Sequence, residues 1–270
     1  MYRYLIHTRG FSLPSYGVMM VIAYFAGLYV ILREARRVKL DASKLESLTL
    51  WILVGMIIGA RVWYVIEMWN YYSQNVGAIF RVWEGGLVFY GGFIGGFVGG
   101  LLYLKVSKLQ FGKVTDVFAP GLALAIGIGR IGCFLNGCCF GKVTSSWIGV
   151  EFPRRWNPPV YETHLRNGWI QPGASHSLPV IPTQIISAID LLLIFGVLLF
   201  LRKRKPFDGF LFYLFLGLYG LHRFIIDFFR YYEGNALILK YITLSQAFSI
   251  VLMIISVVFI IRGLKTRISG

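Results

Sequence analysis

The chain has 270 residues, 57% of them hydrophobic and 14% charged, with a mean hydropathy of +0.66. Soluble domains carry about 25% charged residues, so this composition excludes a soluble globular domain and indicates a polytopic membrane protein. The formal net charge of +15 does not point to nucleic acid. The basic residues lie in short tracts beside apolar runs, where they orient a membrane protein and meet anionic lipid head groups.

A membrane-crossing helix needs about 20 largely apolar residues. Seven such spans are predicted, at about 15–32, 47–69, 86–104, 114–135, 182–201, 208–230 and 244–262. The fold expected is an all-α integral membrane protein, a single transmembrane domain with a small outward-facing cap at about 136–181. Residues 1–14 hold Arg3, Arg9 and Pro14 with no long apolar core before a cleavage site, so the first span is predicted to remain in the mature chain. Basic residues cluster after the first, third and fifth spans (Arg33, Arg36, Arg37, Lys39 and Lys44; Lys105, Lys108 and Lys113; Arg202 to Lys205) and in the tail (Arg262, Lys265, Arg267). By the positive-inside rule these segments are cytoplasmic, the N-terminus is outside and the C-terminus inside. The proposed cap holds Pro153, Trp156, Pro158, Pro159, Trp169 and Pro179, and a disordered segment would be poorer in aromatics.

The second span carries Arg61. A charge at helix centre costs roughly 2.5–3.5 kcal/mol on insertion scales, which makes an intramembrane arginine a functional candidate; the alternative for Arg61, near Trp63 and Tyr64, is snorkelling to the head groups. The third span has glycines at 91, 95 and 99 and again at 92, 96 and 100, two small-xxx-small series for close helix packing that also make its hydropathy marginal. Tyr90 places a hydroxyl on this helix and is read either as interfacial belt or as a substrate contact.

The fourth span ends Gly129-Arg130-Ile131-Gly132-Cys133-Phe134-Leu135-Asn136-Gly137, with a guanidinium inside an apolar run. The sixth carries Tyr219, Arg223, Asp227 and Arg230 at i, i+4, i+8 and i+11, a single polar stripe. Arg61, Arg130 and Arg223 fall about two-thirds of the way along their spans, roughly 7–14 Å below the outer ends. An anion pocket at the depth of an outer-leaflet phosphate is the reading this supports, because arginine's planar fork suits bidentate phosphate contacts. Cys133, Cys138 and Cys139 cluster at the end of the fourth span. Space-filling, a disulfide or redox role, and a metal site are the alternatives, the last disfavoured because zinc wants four ligands and no histidine is near in sequence. His7, His164, His176 and His222 show no ligand or triad spacing.

Taken together these residues resemble the prolipoprotein diacylglyceryl transferases. Residues 129–141 follow that family's signature, Gly-Arg-x-Gly-Asn-Phe-x-Asn-x-Glu-x-x-Gly, with Arg130, Gly132, Phe134, Asn136 and Gly141 in place. Tyr16-Gly17, Gly59-x-Arg61, Tyr90-Gly91-Gly92, Pro182-Thr183-Gln184, Tyr219 to Arg230 and Ser245-Gln246 extend the match over almost every span. Cys133 and Cys138 depart from the signature's Asn and Glu, Tyr90 and Ile181 stand where histidine is common, and Asp227 replaces a usual Glu.

The resemblance implies an enzyme of the bacterial cytoplasmic membrane that performs the first step of lipoprotein maturation. It moves the diacylglyceryl group of phosphatidylglycerol to the lipobox cysteine in the signal peptide of a prolipoprotein, forming a thioether and releasing glycerol phosphate, without metal or organic cofactor. Arg130, Arg223 and Tyr90 are then the expected catalytic residues. Arg130, Arg223, Arg230, Arg61, Tyr16, Asn136, Tyr219, Asp227, Gly141 and Gln184 are the expected substrate contacts. The rival readings are a transporter or flippase for a lipid or organic anion, disfavoured by the absence of repeated halves, and a lipid-binding family member with impaired catalysis.

Overall fold

Apolar runs of 19–26 residues, broken by charged or proline-bearing connections, fold as the long helices of the chain. The computed structural model describes residues 3–8, 12–81, 85–232, 237–238 and 242–268; Arg9 lies outside the described residues. The helices are α1 (Ser15–Arg37), α2 (Ala42–Glu67), α3 (Trp69–Tyr72), α4 (Phe89–Ser107), α5 (Phe111–Asn136), α6 (Pro159–Arg166), α7 (Thr183–Leu201), α8 (Phe210–Phe229) and α9 (Leu244–Ile268). Two short antiparallel pairs accompany them, β1 (Tyr4–His7) with β2 (Ser12–Pro14) and β3 (Leu237–Ile238) with β4 (Ile242–Thr243).

Among the described residues six helices are long and apolar enough to cross a membrane: Ser15–Arg37, Ala42–Glu67, Phe111–Asn136, Thr183–Leu201, Phe210–Phe229 and Leu244–Arg267. They carry exposed side chains such as Phe25, Ile58, Leu193, Phe228 and Val257, the surface that lipid tails cover in a multi-pass membrane protein. Where seven spans are expected from the sequence, six therefore meet the criterion. Helix α4, six of whose 19 residues are glycine, is not among them in the described residues.

The chain divides into two compact units, one of Met1–Val30 with Thr115–Gly270 and one of Ile31–Val114. In the second unit α2 and α4 touch backbone to backbone. A Cβ added to Gly55, Gly59, Gly91 or Gly95 would collide with the facing main chain, and one on Gly99 would lie 2.7 Å from the Trp51 carbonyl. Helices in lipid gain little from apolar burial, so this close approach supplies the contact. Arg61, 6% exposed, projects from α2 into the connection before α4. Its guanidinium donates to the backbone carbonyls of Ala78 (2.6 Å), Ile79 (2.8 Å), Arg81 (3.3 Å), Gly85 (2.8 Å) and Gly86 (3.2 Å). The ring faces of Tyr64 and Tyr72 flank it at 5.8 and 5.3 Å. A guanidinium has five N–H donors, and these carbonyls engage them all.

In the first unit, Ala119 and Ala123 of α5, Leu191, Ile194 and Leu198 of α7, and Leu211 and Phe215 of α8 form a buried core. Helix α8 starts at Gly209, which has φ 101° and no side chain to cap the helix. The cap comes from α5: the Asp116 carboxylate accepts from the Gly209 amide (2.8 Å) and the Phe212 amide (3.1 Å) and pairs with Lys205 at 2.9 Å. Main-chain bonds close the other end, with the Lys142 amide donating to the Phe229 carbonyl (2.8 Å) and the Tyr231 amide to Phe140 (3.1 Å).

Residues 137–182 fold over this end on a core of Phe140, Phe152, Val160 and Val180. His164 of α6 is fully buried, and the Leu178 amide donates to its Nδ1 at 3.1 Å. Arg3 anchors β1 to the same segment through the carbonyls of Trp156 (2.8 Å) and Asn157 (2.6 Å).

Two outcomes follow. Asp116→Ala leaves two helix-terminal amides and the Lys205 ammonium without their acceptor, and is expected to lower stability by about 3 kcal/mol, read as the denaturant or thermal midpoint; Asp116→Asn, which keeps a carbonyl acceptor, loses less. Burial holds the His164 imidazole below its ordinary range. Its neutral form is therefore favoured by folding, and the stability it contributes is complete above about pH 6.5 and declines as pH falls below that value. The hydrogen-exchange protection of the Leu178 amide should drop from pH 7 to about pH 5, and His164→Gln should flatten that dependence.

Candidate active site

Because α5 and α8 are tied at both ends, they run side by side in the same direction. Arg130 lies fourteen residues beyond Asp116, and Arg223 lies fourteen residues beyond Gly209, the residue whose amide Asp116 caps. At 1.5 Å per residue each position lies about 21 Å of helix beyond the shared cap.

Arg130 faces the Tyr219 hydroxyl of α8, with Cys133 and Cys139 close by. Tyr16, at the start of α1, adjoins Arg130 and the three thiols. A Cβ on Gly132 would stand 3.0 Å from Met19 and 3.4 Å from the Tyr16 ring, so glycine there lets α1 approach α5. Arg223 uses Nη2 for three partners: the Ser245 hydroxyl at 2.8 Å, the Tyr232 hydroxyl at 3.0 Å and the Asp227 carboxylate at 3.3 Å. Asp227, whose side chain is fully buried, also accepts from Tyr232 and Thr243. One edge of Arg223 is thus held by its own helix and by α9. Arg230, just past the end of α8, stacks over Tyr232 at 5.1 Å, pairs its backbone with Gly141, and has a buried Nε without a hydrogen-bond partner among the described residues.

Beside these arginines the sulfurs of Cys133, Cys138 and Cys139 lie within 4.8 Å of one another. All three thiols are free. Asn136 contacts Cys138. The start of α7 holds the loop, with Gln184 Nε2 donating to the Cys138 carbonyl (2.8 Å) and the Thr183 hydroxyl to the Cys139 carbonyl (2.9 Å). Gln184 is 1% exposed and its Oε1 has no partner among the described residues. Gly141 sits where a Cβ would meet the Ile181 carbonyl at 2.6 Å and the Phe229 carbonyl at 2.8 Å, so only glycine admits the two flanking chains. Hydrogen bonds from Cys133 and Cys138, followed by the charges of Arg230 and Arg130, hold the Cys139 thiol below its ordinary range.

The first unit therefore brings together Tyr16, Arg130, Asn136, Gly141, Gln184, Tyr219, Arg223, Asp227 and Arg230. Arg61 and Tyr90 belong to the second unit. Arg61 has no donor left for a phosphate, which departs from the expectation of a substrate contact; the reason is the carbonyl-lined connection that closes on it. Tyr90 is 57% exposed on the first turn of α4. Two cavities, about 390 Å³ beside Lys142, Val143, Trp169, Leu178 and Tyr231 and about 330 Å³ around Arg61, do not include Arg130 or Arg223.

Sequence reasoning passed over Tyr232 and Thr243 as site residues. Thr243 carried a legible signal. Thr243-Leu244-Ser245-Gln246 is a capping box at the start of α9, in which the Gln246 amide donates to Thr243 Oγ1 (3.1 Å) and the Thr243 amide to Gln246 Oε1 (3.0 Å). The Asp190–His222 pair, 3.0 Å apart across α7 and α8, was likewise unforeseen.

Comparison with known proteins accords with this arrangement. The family model described as prolipoprotein diacylglyceryl transferase matches residues 3–262. Among curated proteins, the phosphatidylglycerol–prolipoprotein diacylglyceryl transferase of Listeria innocua is 31% identical over 258 residues, covering 95% of this chain and 87% of the relative. Enzymes of the same name from Wigglesworthia glossinidia brevipalpis (31% over 268 residues, 94% and 92% covered) and Dehalococcoides mccartyi (32% over 247 residues, 91% and 87% covered) are similarly related. With a match over nearly its whole length, and with its arginines gathered between α5 and α8, the chain belongs to the prolipoprotein diacylglyceryl transferase family.

Proposed function

We propose that this protein is a phosphatidylglycerol–prolipoprotein diacylglyceryl transferase. It transfers the diacylglyceryl group of phosphatidylglycerol to the thiol of a prolipoprotein's lipobox cysteine, the first step of lipoprotein maturation. The observation that carries the reading is that Arg130 and Arg223 each lie about 21 Å of helix beyond the shared Asp116 cap, with Arg230 and Arg130 both beside Cys139. As the thiolate attacks the glyceryl carbon, the carbon–oxygen bond to phosphate breaks and charge accumulates on the departing glycerol phosphate. Guanidinium groups fixed in a low-dielectric site stabilise that charge most where it develops. Asp227 and Ser245 preorganise Arg223, while Tyr219 faces Arg130, so neither group needs to be ordered at the moment of reaction. Asn136, Gly141 and Gln184 shape the adjoining loop, and Tyr16 closes the site from α1. Arg61 serves instead to hold the connection before α4.

The basic connections support a cytoplasmic-membrane location with the N-terminus and the 137–182 segment outside and the arginines in the outer half of the bilayer. Tyr90, which stands where histidine is common in the family, is proposed to contact the substrate.

The experiment is thioether formation on a lipobox peptide by purified protein with phosphatidylglycerol. Arg130→Lys and Arg223→Ala should each lower turnover by about 100- to 1000-fold, the range for losing one preorganised donor, because lysine replaces a bidentate fork with a point charge. Near-normal turnover in both, with the protein folded, contradicts the assignment. Tyr90→Phe should lower turnover by roughly 10- to 1000-fold while Tyr90→His is tolerated; a Phe variant equal to the parent at limiting substrate removes Tyr90 from the reaction.

A further inference from the structure

The three thiols are the part of the site that phosphate binding does not use. Cys133 ends a turn of α5, whereas Cys138 and Cys139 follow the tight turn at Gly137, φ 73°. Adjacent residues of an extended chain point to opposite faces. Cys139 instead adopts a left-handed φ of 58°, uncommon for a residue with a side chain, and all three sulfurs converge within 4.8 Å. The convergence is held rigidly: α7 binds the carbonyls of both Cys138 and Cys139, and Val160 donates to the carbonyl of Gly137 at 3.1 Å.

Three thiolates around zinc, at about 2.3 Å from the metal, stand about 3.8 Å from one another, which this cluster reaches with small side-chain adjustments. A disulfide would join only two sulfurs and leave the third unexplained. Among the described residues no His, Asp or Glu completes the set. Three protein ligands with an open fourth position are the arrangement of catalytic zinc sites. The surroundings suit it too. Three thiolates and a divalent cation sum to one negative charge, and Arg130 and Arg230 adjoin Cys139 to offset it. The unpartnered Nε–H of Arg230 is a donor of the kind that anionic sulfur accepts.

We propose that Cys133, Cys138 and Cys139 bind a thiophilic divalent cation, zinc above all, whose fourth ligand is the sulfur of the acceptor cysteine. This rests on the transferase reading above. The acceptor thiol loses its proton to water on coordination, since a coordinating thiol is deprotonated outright. Its sulfur then forms a bond to the glyceryl carbon while the carbon–oxygen bond breaks. That electron pair leaves with glycerol phosphate, which departs as a dianion into the arginines. The thioether, a poorer ligand than the thiolate, is released from the metal. The cation thereby does the work of a general base, a residue the sequence comparison leaves unassigned where Cys133 and Cys138 replace Asn and Glu. A metal had looked disfavoured from spacing alone because only three ligands were in view; the substrate supplies the fourth.

The test uses full-length protein in nanodiscs, reduced and then equilibrated with zinc or with cobalt(II) as a coloured probe. About one zinc per chain should be retained, and each of Cys133→Ser, Cys138→Ser and Cys139→Ser should weaken binding by more than about 100-fold, exceeding the 10–100-fold typical of losing an outer-shell partner. The cobalt(II) form should show a thiolate charge-transfer band that grows when a lipobox peptide is added and does not change with the same peptide carrying serine for cysteine. Chelation should abolish thioether formation and zinc should restore it. No metal retained above the level of the triple serine variant, with thiols confirmed reduced, overturns the site; undiminished transfer by metal-free protein overturns its part in the reaction and leaves the transferase reading standing. Metal and peptide binding without any transfer would instead overturn that reading and keep the site.

Discussion

The Asp116 carboxylate, reaching from α5 to the start of α8, is the contact on which the site depends. Helix α8 begins at a glycine in a left-handed conformation and has no capping side chain of its own. A negative group at a helix N-terminus stabilises by about 0.3–1 kcal/mol at a surface, and up to about 2 kcal/mol when partly buried. Here it is 3% exposed and every partner is a full or partial positive charge: two amides and the Lys205 ammonium. This one tie sets the vertical register of two membrane helices. Arg130 and Arg223 are equally spaced from this tie along their helices, and main-chain bonds between 140–142 and 229–231 join the two segments at the other end. In the proposed reaction the transition-state charge meets both guanidinium groups, and an error of one helical rise would misdirect a bidentate contact.

The arginines of the two units illustrate how the same side chain serves two ends. Arg61 is surrounded by acceptors that belong to its own unit, and flanked by tyrosine rings, so its charge is satisfied internally and stabilises the turn that leads into α4. Arg223 is anchored along one edge only, by groups that fix its orientation. Arg130 is set opposite a tyrosine, with anionic-capable thiols nearby. An intramembrane arginine is thus a functional candidate whose role is decided by how many of its five donors the fold already engages.

Much of this was legible in the sequence. Apolar length located six of the seven expected spans, and the glycine spacing of residues 91–100 anticipated the close backbone packing of α4. The polar stripe runs along α8 from Tyr219 to Asp227, whereas Arg230 falls just past the helix end with extended backbone. The partners of Arg61 were not legible, because they are backbone carbonyls 17 to 25 residues away, and carbonyls have no residue-type signature. The meeting of the three thiols depends on the backbone angle at Cys139, which spacing does not reveal. Thr243 was readable as a capping residue, but not as a partner of Asp227, since that contact joins α8 to the residue just before α9.

The most direct test of the account is a structure with phosphatidylglycerol bound, measuring where the donor phosphate lies. The account predicts phosphate oxygens within about 3 Å of the guanidinium nitrogens of both Arg130 and Arg223, the distance of charge-assisted hydrogen bonds. A phosphate seated against Arg61, or touching neither Arg130 nor Arg223, would contradict it.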